Sequence, residues 1–167
     1  MAVMGISCKS DSFSYVILDG ISTLVKLKCC ETYHLTQKEA GKNLEYARNQ
    51  IRTIIKKYSL NKAAFMVEKS LKKKGFGGNF TTVNIPIHQY YIEGVIIDEL
   101  YNNHGIKIIE FDKNAELKDA LEKKLSLKIS EHPAKIIDFM KKHYEELATG
   151  KMNDFEREAF TVAVATL

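Results

Sequence analysis

The chain has 167 residues, 45% hydrophobic and 28% charged, with a formal net charge of +4 and a pI near 8.8. That length fits one domain over residues 1–167, able to close its core without staples, and two prolines and nine glycines leave little for a linker. No run is long and apolar enough to span a membrane, and no basic-then-apolar signal opens the chain, so a cytoplasmic protein is expected. The mild positive charge permits an anionic partner without requiring one.

Ala2 to Ser7 is small and apolar, and Lys9-Ser10-Asp11-Ser12 is turn chemistry. Phe13, Tyr15 and Ile17 then alternate toward Asp19-Gly20, so a strand, a turn and a second strand are expected. Asp19-Gly20 reads as a two-residue hairpin signal, with a third strand over 21–31. Thr36 with Glu39 three residues on has the pattern of a capping box. Leu44, Ala47, Ile51, Ile54 and Ile55 recur at helical spacing up to Tyr58. Residues 62–68 form a short apolar run closed by Glu68, suited to a buried central strand. Lys69 to Asn79 is basic and glycine-rich, hence a loop.

Asn84 to His104 is periodic as one helix, stopped by Gly105, and 105–111 reads as a further strand. Residues 113–125 and 131–148 read as amphipathic helices, the second with Pro133 near its start and Gly150 past its end. Residues 153–167 close the chain as a last helix. Three meandering strands followed by strand–helix units imply an α/β protein, one mixed sheet with helices on both faces. Cys8, Cys29 and Cys30 have no CxxC spacing and read as reduced structural thiols. The histidines (His34, His88, His104, His132 and His143) are scattered singly and read as surface or cap residues.

This order resembles the ribonuclease H-like fold with its five-stranded mixed sheet, and within it the RuvC-type Holliday junction resolvases. Gly5-Ile6-Ser7 occupies the place of that family's Gly-Ile-Asp, and Met66 to Ser70 resembles the strand that delivers a catalytic glutamate, here Glu68. Residues 92–121 repeat the family's helix, strand and helix. Residues 154–167 resemble its acid-bearing final helix. The resemblance implies a metal-dependent, structure-selective endonuclease acting on branched or duplex DNA, as a possible homodimer because such junctions are two-fold symmetric. It implies Mg²⁺ or Mn²⁺ held by Glu68, Glu158 and Asp154, the converging acids such chemistry needs. Glu158 is in register with the family's last aspartate. The family's other helix acid falls on Phe155, so Asp154 fills that role only with a shift.

Ser7 departs from the pattern, since a neutral hydroxyl is a weak ligand that cannot bridge two cations. Asp11 lies four residues further on and points by default to solvent. Asn153 to Glu156 also reads as a plain helix start, a cap followed by dipole-favoured acids. Lys69, Lys72, Lys73 and Lys74, with Phe76 among glycines, suit phosphate neutralisation and base stacking, or else a solvated lysine run. Two function classes therefore stand: a nuclease with impaired activity, and an inactive module of the same fold that binds nucleic acid or a protein. An actin-like kinase would want glycine-rich phosphate loops, and neither GISCKS nor GIKIIE supplies one.

Overall fold

The computed structural model describes residues 2–21, 24–66, 87–111, 114–129, 136–148 and 150–167. Its five strands are β1 (Val3–Cys8), β2 (Ser12–Ile21), β3 (Leu24–His34), β4 (Lys62–Met66) and β5 (Lys107–Phe111), in the order β3-β2-β1-β4-β5. The first three pair antiparallel, while β1 with β4 and β4 with β5 are parallel. The mixed sheet expected from the element order is therefore present. All six residues of β1 are buried, as its central place demands.

Strand alternation divides the core into two faces. Met4, Ile6 and Cys8 pack with Ala47, Ile51 and Ile54 of α1 (Ala40–Tyr58), and with Ile92 and Ile96 of α2 (Ile87–Asp98). Val3, Val16 and Leu18 face the other way. They meet the buried stretch Ala159–Ala165 of α6 (Asp154–Thr166), and α3 (Asn114–Leu125) and α4 (Ile136–His143) pack on α6 to complete the same cluster. A short helix, α5 (Glu145–Ala148), links α4 toward α6.

The joint between β1 and α6 is unusually close. A Cβ on Gly5 would lie 1.8 Å from the Ala159 carbonyl oxygen and 2.9 Å from the Ala163 Cβ. Only a residue without a side chain lets this helix lie on this strand.

Several boundaries differ from the sequence expectation. The second hairpin turns later than Asp19-Gly20, because β2 stays paired through Ile21↔Leu24, and β3 runs on to His34. Gly20 is still needed inside the ladder: its φ is +112°, and a Cβ would meet the Leu24 oxygen at 2.4 Å. The Thr36 capping box does not form. Helix α1 starts at Ala40 with no side-chain cap bond, and Asn43 brackets the approach instead. Its Oδ1 accepts from Gln37 N at 2.9 Å and its Nδ2 donates to Gln37 O at 3.0 Å.

The helix expected to reach His104 changes pitch. After Asp98 it becomes a π-helical turn, Glu99–Asn103, before Gly105 (φ +64°) ends it. The helix expected over 131–148 is divided at Tyr144, whose buried ring packs edge-on against Phe160 at 5.4 Å.

Candidate functional site at the end of β1

Ser7 is the last residue of β1 on the α6 face, two positions beyond Gly5. Because α6 lies directly on Gly5 through Ala159, the preceding residue of the helix, Glu158, is brought to the Ser7 side chain. The Ser7 hydroxyl donates to Glu158 Oε2 at 2.5 Å. Ser7 is buried at 4% exposure, and Glu158 is half-buried. A hydrogen bond to a charged acceptor in such a setting contributes about 1.5–3 kcal/mol.

The Ser7 hydroxyl begins a row across three strands. Ser7 pairs with Ser14 in β2, and Ser14 with Thr32 in β3. Ser14 Oγ and Thr32 Oγ1 lie 2.8 Å apart. Thr32 Oγ1 donates to Glu156 Oε1 at 2.9 Å and accepts from Asn153 Nδ2 at 3.0 Å. Asn153 caps α6 through the backbone N–H groups of Phe155 and Glu156, and Glu156 returns to the Asn153 N–H at 2.9 Å. The first turn of α6 is thus tied down to the sheet by hydroxyls. Burial, and then the charge of Glu156, pushes the Cys30 thiol up to about 12.

Two further groups sit beside the pair. Lys9, in the turn after β1, places its ammonium 3.4 Å from the centre of the Phe155 ring. On the opposite face Glu93 of α2 is 5% exposed and accepts from Gln89 Nε2 at 3.0 Å. Burial pushes the Cys8 thiol well up, and the negative charges of Glu93 and Glu158 add to it. Carboxylates therefore flank the end of β1 from both sides of the sheet. Glu93 escaped the sequence reading because it sits inside an apolar helical run, where its one signal was a charge at a core-facing position.

Of the acids expected as ligands, Glu158 reaches the site. Asp154 is not brought to it: its carboxylate is 81% exposed and takes Arg157 Nη1 at 2.8 Å. The expected alternative, a plain helix start, describes Asn153 and Glu156 well. Asp11 is exposed. Glu68, Lys69, Lys72, Lys73, Lys74 and Phe76 lie outside the described residues. Parallel pairing of Ile6 with Phe65 does run β4 toward the same end of the sheet as Ser7. Among the described residues no group of three His, Cys, Asp or Glu side chains could hold a metal ion. Among the described residues, one carboxylate beside a hydrogen-bond-donating serine does not make a two-metal centre. Among these residues, too, no helix is long and apolar enough to cross a membrane.

A second polar cluster lies at the π-helical turn. Glu99 is fully buried and accepts from Arg52 Nε at 2.7 Å and Asn103 Nδ2 at 2.8 Å, with His104 Nε2 at 3.1 Å. Burial raises its carboxyl, but the donors from Arg52, Asn103 and His104 outweigh it and hold the group below its ordinary range. His104 is therefore the partner of a buried acid as well as a residue near a helix end.

No protein-family model matches the chain, and no curated protein does. In structure it is similar to RuvC of Thermus thermophilus, with a TM-score of 0.70 at 12% identity over 99% of this chain and 92% of that one. T. thermophilus RuvC in complex with Holliday junction substrate gives 0.68 at 11%, covering 99% and 91%. The yeast mitochondrial Holliday junction resolvase Ydc2 gives 0.58 at 10%, covering 98% and 77%. At such identities the likeness is one of architecture, and it extends over almost the whole chain. The sheet order, the helices on both faces and the docking of α6 on β1 give this protein the ribonuclease H-like fold of the RuvC-type resolvases.

Proposed function

We propose that this protein engages branched DNA at the Ser7–Glu158 end of its sheet, as a structure-selective endonuclease of the Holliday junction resolvase type with slow cleavage. The observation that carries the reading is the Ser7–Glu158 contact, which joins two elements separated by 151 positions at the strand end where acids of a nuclease would converge. Resolvase neighbours of the same architecture support it. Glu158 is the carboxylate at the reacting end. Glu68 is the further acid proposed to join it around Mg²⁺ or Mn²⁺, which would stabilise charge on a phosphodiester, while Asp154, exposed and paired with Arg157, stays outside that group. Lys69, Lys72, Lys73, Lys74 and Phe76 are proposed to hold the DNA backbone and a base. A homodimer would match the two-fold symmetry of a four-way junction.

Ser7 accounts for the slowness, because it adds no negative charge where a ligand is wanted and donates a hydrogen bond to the carboxylate beside it. The same contact is what favours the second reading, a module that binds without cutting. Both are separated by one experiment: binding and single-turnover cleavage of a four-way junction with Mn²⁺, for wild type and Glu158→Gln. The enzyme reading expects preference for the junction over duplex, and weak Mn²⁺-dependent cleavage that Glu158→Gln abolishes. Junction binding with no cleavage in either protein leaves the binding module, and no junction preference sinks both.

A further inference from the structure

We propose that Lys9 is a phosphate-contacting residue, holding a backbone phosphodiester of the bound nucleic acid beside Glu158; this rests on the reading that the protein binds DNA at that end of the sheet. Lys9 follows β1 by one residue and lies on the α6 side, since its ammonium is 3.4 Å from the centre of the Phe155 ring. Phe155 and Glu158 are three residues apart on α6 and so share a helix face, with Cβ atoms about 5–6 Å apart. The ammonium is thereby set about one helical turn from the Glu158 carboxylate.

The neighbouring charges show why the cation is placed for an incoming anion. Each acid in the first two turns of α6 has a donor of its own. Asp154 takes Arg157, Glu156 takes Thr32 and the Asn153 N–H, and Glu158 takes Ser7. Among the described residues no carboxylate is ion-paired with Lys9, whose partner is an aromatic face. A lysine over the first turn of a helix also stands at the positive end of the helix dipole, where cations are disfavoured and anions are welcome. A phosphodiester relieves that arrangement, and the ring has already restricted the long side chain, so less rotamer entropy is lost on contact. An ammonium suits the task as a point charge that neutralises one phosphate without reading sequence.

The test is binding of a labelled four-way DNA junction over a range of salt by wild type, Lys9→Gln, Lys9→Arg and Phe155→Leu. Losing one phosphate contact lowers the log–log salt slope by about 0.9 and weakens binding roughly fivefold to tenfold at 0.1 M salt, and Lys9→Gln is expected to show both. Lys9→Arg should restore slope and affinity. Phe155→Leu should weaken binding by a smaller factor with the slope kept, because the charge remains while its support is gone. If wild type binds and Lys9→Gln matches it in affinity and slope, the inference is wrong while the DNA-binding reading stands. Failure of Lys9→Arg to restore a loss seen in Lys9→Gln also overturns it, since the loss is then one of local structure. If wild type binds no junction at all, both fall together.

Discussion

The Ser7 hydroxyl of β1 donates to the Glu158 carboxylate of α6 at 2.5 Å, and Gly5 two residues earlier is what lets the helix come that near. The site is therefore set by backbone contact first and by side-chain chemistry second.

Ser7→Asp replaces that donor with a second carboxylate against Glu158. Without metal the variant should melt lower, because like charges raise the pKa of at least one of the pair and leave it poorly accommodated. Mn²⁺ should restore the midpoint by binding the folded state, and junction cleavage should rise. Melting curves with and without Mn²⁺ decide the point. A variant indifferent to Mn²⁺ would mean that no metal site faces Ser7.

Gly5→Ala should destabilise strongly, by about 3 kcal/mol or more, since the new methyl meets the Ala159 backbone and cannot be relieved by a rotamer change. Urea unfolding measures the loss. A cost under about 1 kcal/mol would show that α6 can slide, and with it Glu158.

Glu99→Gln should cost about 2 kcal/mol at pH 7, because Arg52, Asn103 and His104 lose a charged acceptor. The folded-state carboxyl is held below its unfolded value near 4.3, so its stabilisation is present above that pH and lost as pH falls through the lower folded value. The gap between wild type and variant should thus narrow below about pH 4. Denaturant curves at several pH values would refute this by showing a constant gap.

Replacing Lys72, Lys73 and Lys74 together by Ala should flatten the salt dependence of junction binding by up to about three units of log–log slope. The same titration as for Lys9 reads it, and an unchanged slope would mean that these lysines are merely solvated.

Strand alternation and helical periodicity make the sheet and most helices legible in the sequence. Phe13, Tyr15 and Ile17 alternate cleanly, and Ala47, Ile51 and Ile54 do turn inward. What failed were signals decided by a few hydrogen bonds. Thr36 and Glu39 had the capping pattern, but Asn43 made a better bracket around Gln37. Asp19-Gly20 looked like a turn, yet the ladder ran past it. In the site, the family resemblance of the last helix singled out Glu158, and the structure sets that residue against Ser7. Glu93 could not be found this way, since it is a lone charge inside an apolar helical run, and neither could Lys9 or the Ser14–Thr32 row, whose partners lie on other elements.

Glu158 follows Ser7 by 151 positions, which has a consequence during synthesis. One face of the sheet can be covered by α1 and α2 while the chain is still growing. The other, with Val3, Val16 and Leu18, has to wait for Ala159–Ala165. Until α6 emerges, a nascent chain carries a half-dressed sheet with an apolar side open to its neighbours. That stage is the one at which a chaperone would be needed and at which aggregation competes with folding. Helix α6 is made long after β1 and also completes the Ser7 contact, so a ribosome-bound precursor lacking it has no Glu158 beside Ser7.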